Sequence, residues 1–237
     1  MERLPLGIIV LIVVSVLIYL GLAHRVLDRM RLNDKTALVI LGLMIVGSLI
    51  DLPLTKGNIT VALNIGGGLV PIGLAFYLLG KAEHNRERIN ALMGALVTGA
   101  VVFVIGTYLM TGLTEPAGRY AVIDVLYIYP IVAAVIAYAA GRSRRGAFVS
   151  ATLGVLLADI FHLINLAGRN IPGMVHIGGA GAFDVLVISG VLAVLLVEIV
   201  GEARERLQGG PQSEGRGEGT LAALKSPEDK GGRENEN

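Results

Sequence analysis

Asp159 lies in the stretch AFVSATLGVLLADIFHLINLA and Asp184 in IGGAGAFDVLVISGVLAVLL, and neither stretch contains a Lys or an Arg. A carboxylate placed in hydrocarbon costs about 2.5–3.5 kcal/mol on insertion scales, and such residues mark ion pathways, proton relays and counter-ions. If Asp159 and Asp184 face each other, they form a proton-sharing pair. Three chemistries suit that pair. It can activate water for peptide hydrolysis. It can load and release a proton to drive transport. Together with His162, three residues after Asp159 on the same helical face, it can hold a divalent cation. Asp159, His162 and Asp184 are thus the candidate metal ligands, and a divalent cation is the one cofactor these residues suggest.

Other polar and small residues gather in neighbouring segments. Asn64 and Gly66, Gly67 and Gly68 precede Pro71, while Gly178, Gly179 and Gly181 precede Asp184. The glycines permit close helix packing, and Asn64 can satisfy backbone groups that Pro71 and the glycines set free. Asp51 opens the turn-like DLPLTKGN, and Asp124 follows Arg119 closely enough for a surface pair. Asn165 stands beyond His162.

The elements that must position these residues are apolar runs. The chain has 237 residues, of which 54% are hydrophobic and 16% charged. A soluble domain carries about 25% charge. Mean hydropathy is +0.69. Runs of about 20 apolar residues match a hydrocarbon core about 30 Å thick, so the sequence predicts an all-α, multi-pass protein of the plasma (inner) membrane. The predicted spans are residues 4–23, 36–54, 59–80, 90–113, 120–141, 147–167 and 179–200. They make a seven-helix domain over 1–207. Residues 208–237 are rich in Gly, Glu, Lys, Arg, Ser and Asn, a composition that predicts a disordered cytoplasmic tail. The first run is longer than a signal-peptide core of about 7–15 residues, and Arg25, Arg29 and Arg31 follow it, which favours a retained helix.

Loop charges orient the spans. With seven spans, 4 of the 20 Lys and Arg residues fall on one side and 16 on the other. The positive-inside rule then puts the N-terminus outside and the C-terminus inside. In that frame Asp159 is about 12 Å, and Asp184 about 8 Å, below the outer ends of their helices. The basic residues are dispersed among loops, which offers no nucleic-acid surface. The implied partners are the lipid bilayer and a small-molecule, ion or membrane-peptide substrate. Absence of cysteine excludes disulfides and thiol chemistry. NITVALNIGG from Asn58 and NIPGMVHIGG from Asn170 echo each other, compatible with a 3+1+3 parallel repeat of the kind found in small transporters.

GSLIDLPL (47–54), ALNIGGGLVPIGLAFYLL (62–79), GVLLADIFHL (154–163) and IGGAGAFDVLVISGVLAVLL (177–196) resemble a prokaryotic membrane family catalogued as domain of unknown function 1614. The resemblance gives weight to Asp159, Gly178, Gly179, Gly181 and Asp184 and names no reaction. Its helix-2 motif has Asn where this chain has Asp51. A looser similarity is to the GxGD intramembrane aspartyl proteases, although Gly179-Ala180-Gly181 stands too far before Asp184 for that motif. The reading that fits most of these features is a small proton- or cation-coupled transporter. The alternatives are an intramembrane aspartyl protease using Asp159 and Asp184, and a metal-dependent membrane enzyme.

Overall fold

A computed structural model describes residues 20–28, 30, 32, 34–82, 84–109, 121–141 and 143–207. Most of these residues are helical. Residues 20–28 form the described part of α1. There follow α2 (Asp34–Gly47), β1 (Asp51–Thr55), β2 (Ile59–Asn64), a π-helical turn (Ile65–Leu69) and α3 (Val70–Gly80). The chain continues through α4 (Asn85–Val104), a second π-helical turn (Ile105–Leu109), α5 (Ala121–Gly141), α6 (Arg144–Gly168), β3 (Gly173–Ile177), a 3-10 turn (Gly181–Phe183) and α7 (Val185–Leu207). Contacts divide the chain into residues 1–198 and 199–237. Of the second unit, 199–207 are described, as the last part of α7. Most of the first predicted span, residues 110–113 of the fourth, and the predicted tail at 208–237 lie outside the described residues.

Three helical stretches among the described residues are long and apolar enough to cross a membrane: Asn85–Tyr108, Arg144–Gly168 and Val185–Arg204. Their packing inverts that of a soluble bundle. α4 buries Ala91, Gly94, Ala95, Thr98, Gly99 and Val102, a stripe of small residues at helical spacing, while Leu92, Met93, Leu96 and Val97 are exposed. Small residues let backbones approach where lipid leaves no hydrophobic drive for association. α4 lies along α6, which also touches α3 and α5. Ser150 Oγ donates to the Ala91 carbonyl at 2.9 Å, so a hydroxyl ties the two helices together. A Cβ on Gly154 would meet Thr98 Cβ at 2.5 Å, and one on Gly190 would meet Thr152 Oγ1 at 2.6 Å. α6 therefore runs between α4 and α7 with little side chain in between. Exposed apolar faces over a small-residue interior mark a membrane protein.

The all-α expectation needs correction at one end of the bundle. β1, β2 and β3 form a three-stranded sheet in that order. β1 and β2 are an antiparallel hairpin, and β2 and β3 run parallel, with Val61 opposite Val175 and Ala62 opposite His176. The predicted second span thus ends as a helix at Gly47, and the predicted third span begins as a strand. Ile59, Thr60 and Val61 are β-branched and favour a pleated strand. Pro53 is tolerated because β1 is an edge strand. At 14 residues α2 is about 21 Å long, shorter than the hydrocarbon core. The predicted seventh span also starts later, because Gly178 (φ 73°) and Gly181 (φ 63°) turn the chain before α7.

Gly154→Val tests the α4–α6 seam. It should lower stability by about 1–3 kcal/mol, the usual range for overpacking, measured by unfolding of detergent-purified protein. Gly73→Ala, whose added Cβ meets nothing within 4 Å, should leave stability nearly unchanged.

Candidate functional site

The polar groups at the sheet end converge on one carboxylate oxygen. After α2 stops at Gly47, a turn brings Ser48 and Asp51 over the end of β2. Asn64, only 1% exposed, donates from Nδ2 to the Ser48 carbonyl at 3.0 Å and to Asp51 Oδ1 at 2.8 Å. Its Oδ1 accepts from Gly67 N at 2.9 Å, which caps the π-helical turn. The buried amide is thus satisfied on both ends, as burial requires. His176 Nε2 lies 3.0 Å from the same Asp51 Oδ1. The Asn64 hydrogen bond, and after it the His176 contact, hold the Asp51 carboxyl below its ordinary value of 3.8.

Glycines make this convergence geometrically possible. A Cβ on Gly67 would run into the carbonyl oxygens of Gly178 and Gly181, and one on Gly178 would run into Gly68 N. A Cβ on Gly66 would strike the Met44 carbonyl. One on Gly179 would meet the His176 ring at 2.8 Å. Ser48 Oγ completes the junction by accepting from Ala182 N at 2.9 Å. The positive φ of Gly178 and Gly181 adds a second reason for glycine at those two positions, since L side chains disfavour it.

Asp184 differs from its sequence reading. It is the residue before α7 and not one five residues inside a helix. Its Oδ1 accepts from Leu186 N at 2.9 Å and its Oδ2 from Ala180 N at 3.1 Å, so it caps the N-terminus of α7. Asp159 does lie inside a helix, α6. Both carboxylates line one cavity of about 400 Å³, together with His162, His176, Asn165, Tyr129, Thr107 and Phe103. They interact electrostatically, but no hydrogen bond joins them among the described residues. Asp159 accepts no hydrogen bond at all among those residues, in contrast to Asp184. Asp159, His162 and Asp184 share a cavity, yet among the described residues no group of three or more His, Asp or Glu side chains is arranged to hold a metal ion.

The structure therefore gathers the predicted residues into two joined groups. Asp51, Asn64, Gly66, Gly67, Gly178, Gly179 and Gly181 build the junction, and Asp159, His162 and Asp184 face the cavity. Asp124 falls in α5, but its side chain is not among those described. His176 belongs to both groups and escaped the sequence reading, as did Ser48, Thr107 and Tyr129. A signal for His176 was present: it stands at the position of Asn64 in the two echoing stretches. These two matched residues meet the same oxygen. The first residues of the echo meet as well, with Asn58 Nδ2 donating to Asn170 Oδ1 at 3.2 Å.

A family model described as "Protein of unknown function (DUF1614)" matches residues 12–196. The chain belongs to that family. The match takes in the glycine junction, both cavity aspartates and His176. No curated protein and no solved structure matches the chain, and the likeness to GxGD proteases gains no support from these comparisons.

The depressed Asp51 value fixes the sign of a pH effect. A group whose folded value lies below its unfolded one stabilises above the unfolded value and loses that contribution as pH falls through the folded one. Thermal midpoints should therefore fall as pH drops through and below the ordinary carboxyl value of 3.8. In Asp51→Asn that share of the drop should be absent, read from the difference between the two melting series.

Proposed function

We propose that this DUF1614 protein is a seven-span membrane protein of the plasma membrane that binds a small substrate in the cavity and couples its movement to protons or cations. The observation that carries the reading is the cavity itself. Among the described residues, two carboxylates and two imidazoles line it, and no Lys or Arg does. Such a lining favours positive charge and can exchange protons, both of which a coupled transporter needs. Its volume falls within the range of about 300–1,000 Å³ found for small-molecule sites.

Topology supports the same reading. The loops that the charge rule assigns to the inside lie together: Ser143 Oγ donates to Glu87 Oε1 at 2.7 Å, and Arg145 Nη1 to the Lys81 carbonyl at 3.2 Å. The loops assigned to the outside lie together through Asn58 and Asn170. The parallel pairing of β2 with β3, each leading into a glycine turn and then a helix, favours a parallel repeat of two halves. In this reading the sheet and the cavity mouth face outward.

The chain has no cysteine, so single cysteines report sidedness directly. In intact cells Lys56→Cys should react with an impermeant maleimide, and Arg86→Cys should react only after permeabilisation. The reverse pattern would invert the topology. For transport, proteoliposomes holding a pH-sensitive dye should change lumenal pH when gradients of Na⁺, K⁺ or alkylammonium salts are imposed. Asp159→Asn should reduce that response by about tenfold or more, as expected for loss of an intramembrane carboxylate on the coupling path. Responses equal to those of empty liposomes across the series would sink the transport reading.

A further inference from the structure

We propose that the cavity is a binding site for a small organic ammonium ion, with Asp159 as its counter-ion. The proposal rests on reading the cavity as the substrate site and adds the chemistry of the occupant.

The asymmetry between the two aspartates carries the argument. Asp184 has both oxygens occupied by backbone amides. Asp159 is half-buried, lines the same cavity and accepts no hydrogen bond among the described residues. A carboxylate removed from water without a donor is costly, and its neighbour Asp184 carries the same sign of charge. A cationic N–H donor in the cavity answers both deficits with a charge-assisted hydrogen bond.

The rest of the lining selects among cations. Val102, Val155, Ala158 and Val185 supply apolar wall, and Phe103 and Tyr129 supply aromatic rings. Phe103 is held in place by an edge-on contact with Phe161, ring centroids 6.0 Å apart at 74°. A divalent metal ion would need several converging oxygen or nitrogen ligands, and the described residues offer no such group. An ammonium group on a hydrocarbon body uses the carboxylate and the apolar wall together, and aromatic rings favour such cations. A space of about 400 Å³ is also far larger than a bare ion requires.

The test is calorimetric titration of the full-length protein in mild detergent at neutral pH. The probes are methylammonium, butylammonium and benzylammonium chloride, benzyl alcohol as the uncharged match for the last, and magnesium chloride. At least one ammonium should bind, and benzyl alcohol should bind about tenfold or more weakly than benzylammonium, the scale of one charge-assisted hydrogen bond. Asp159→Asn should remove that preference, bringing benzylammonium down to the level of benzyl alcohol. Equal binding of alcohol and ammonium overturns the proposal in favour of a merely apolar pocket. Magnesium binding that displaces the ammonium overturns it in favour of an inorganic cation. Failure of all three ammonium probes overturns it outright. The alcohol comparison uses the unaltered protein, so a folding defect in the variant cannot hide the result. Ammonium binding without flux would sink the transport reading alone, and Na⁺-driven proton flux without ammonium binding would sink this proposal alone.

Discussion

Backbone meets backbone where Gly66–Gly68 cross Gly178–Gly181, and the geometry of the site depends on that contact. No side chain fits between the two turns. Because they touch, β2 and β3 can lie parallel and in register, although all of α3 through α6 separates them in sequence. Because β3 is fixed, His176 reaches Asp51 on one side and the cavity on the other. The polar groups around the crossing lock it. Asn64 ties β2 to the end of α2 and to Gly67, and Ser48 ties the end of α2 to Ala182. Irregular backbone in a membrane protein is tolerated where it is buried in protein or lines a cavity. Here the two turns do both, since they pack on each other and lead to Asp184 at the cavity wall.

Composition and hydropathy made the membrane class and the long apolar helices legible. α5 and α6 begin and end within a few residues of the predicted spans. Periodicity could not separate strand from helix in ITVALN, because an apolar run followed by more apolar residues reads as one long span. Its β-branched start and the preceding Gly57 were the available warning. Asp184 was legible as a polar residue in an apolar stretch, but its role as a cap was hidden. That role depends on where the helix starts, and the start is set by positive φ at Gly178 and Gly181, which sequence alone does not show. The ten-residue echo was visible. Its meaning, that Asn64 and His176 share an acceptor, needed the strands side by side.

The two aspartates that look equivalent in sequence divide their labour. Asp184 spends its hydrogen-bonding capacity on the backbone, closing the glycine turn through Ala180 and starting α7 through Leu186. It contributes charge to the cavity from a fixed position. Asp159 projects from the regular helix α6, and its carboxylate lines the cavity and accepts no hydrogen bond among the described residues. A cavity with one anchored and one uncommitted carboxylate differs from an aspartyl dyad, in which two facing oxygens share a proton. It is closer to the counter-ion arrangement proposed above, in which one carboxylate would receive the cation and the other would set the field around it. The same division explains the placement of His176. It stands between Asp51 at the surface and Asp184 at the cavity wall, and it interacts electrostatically with both.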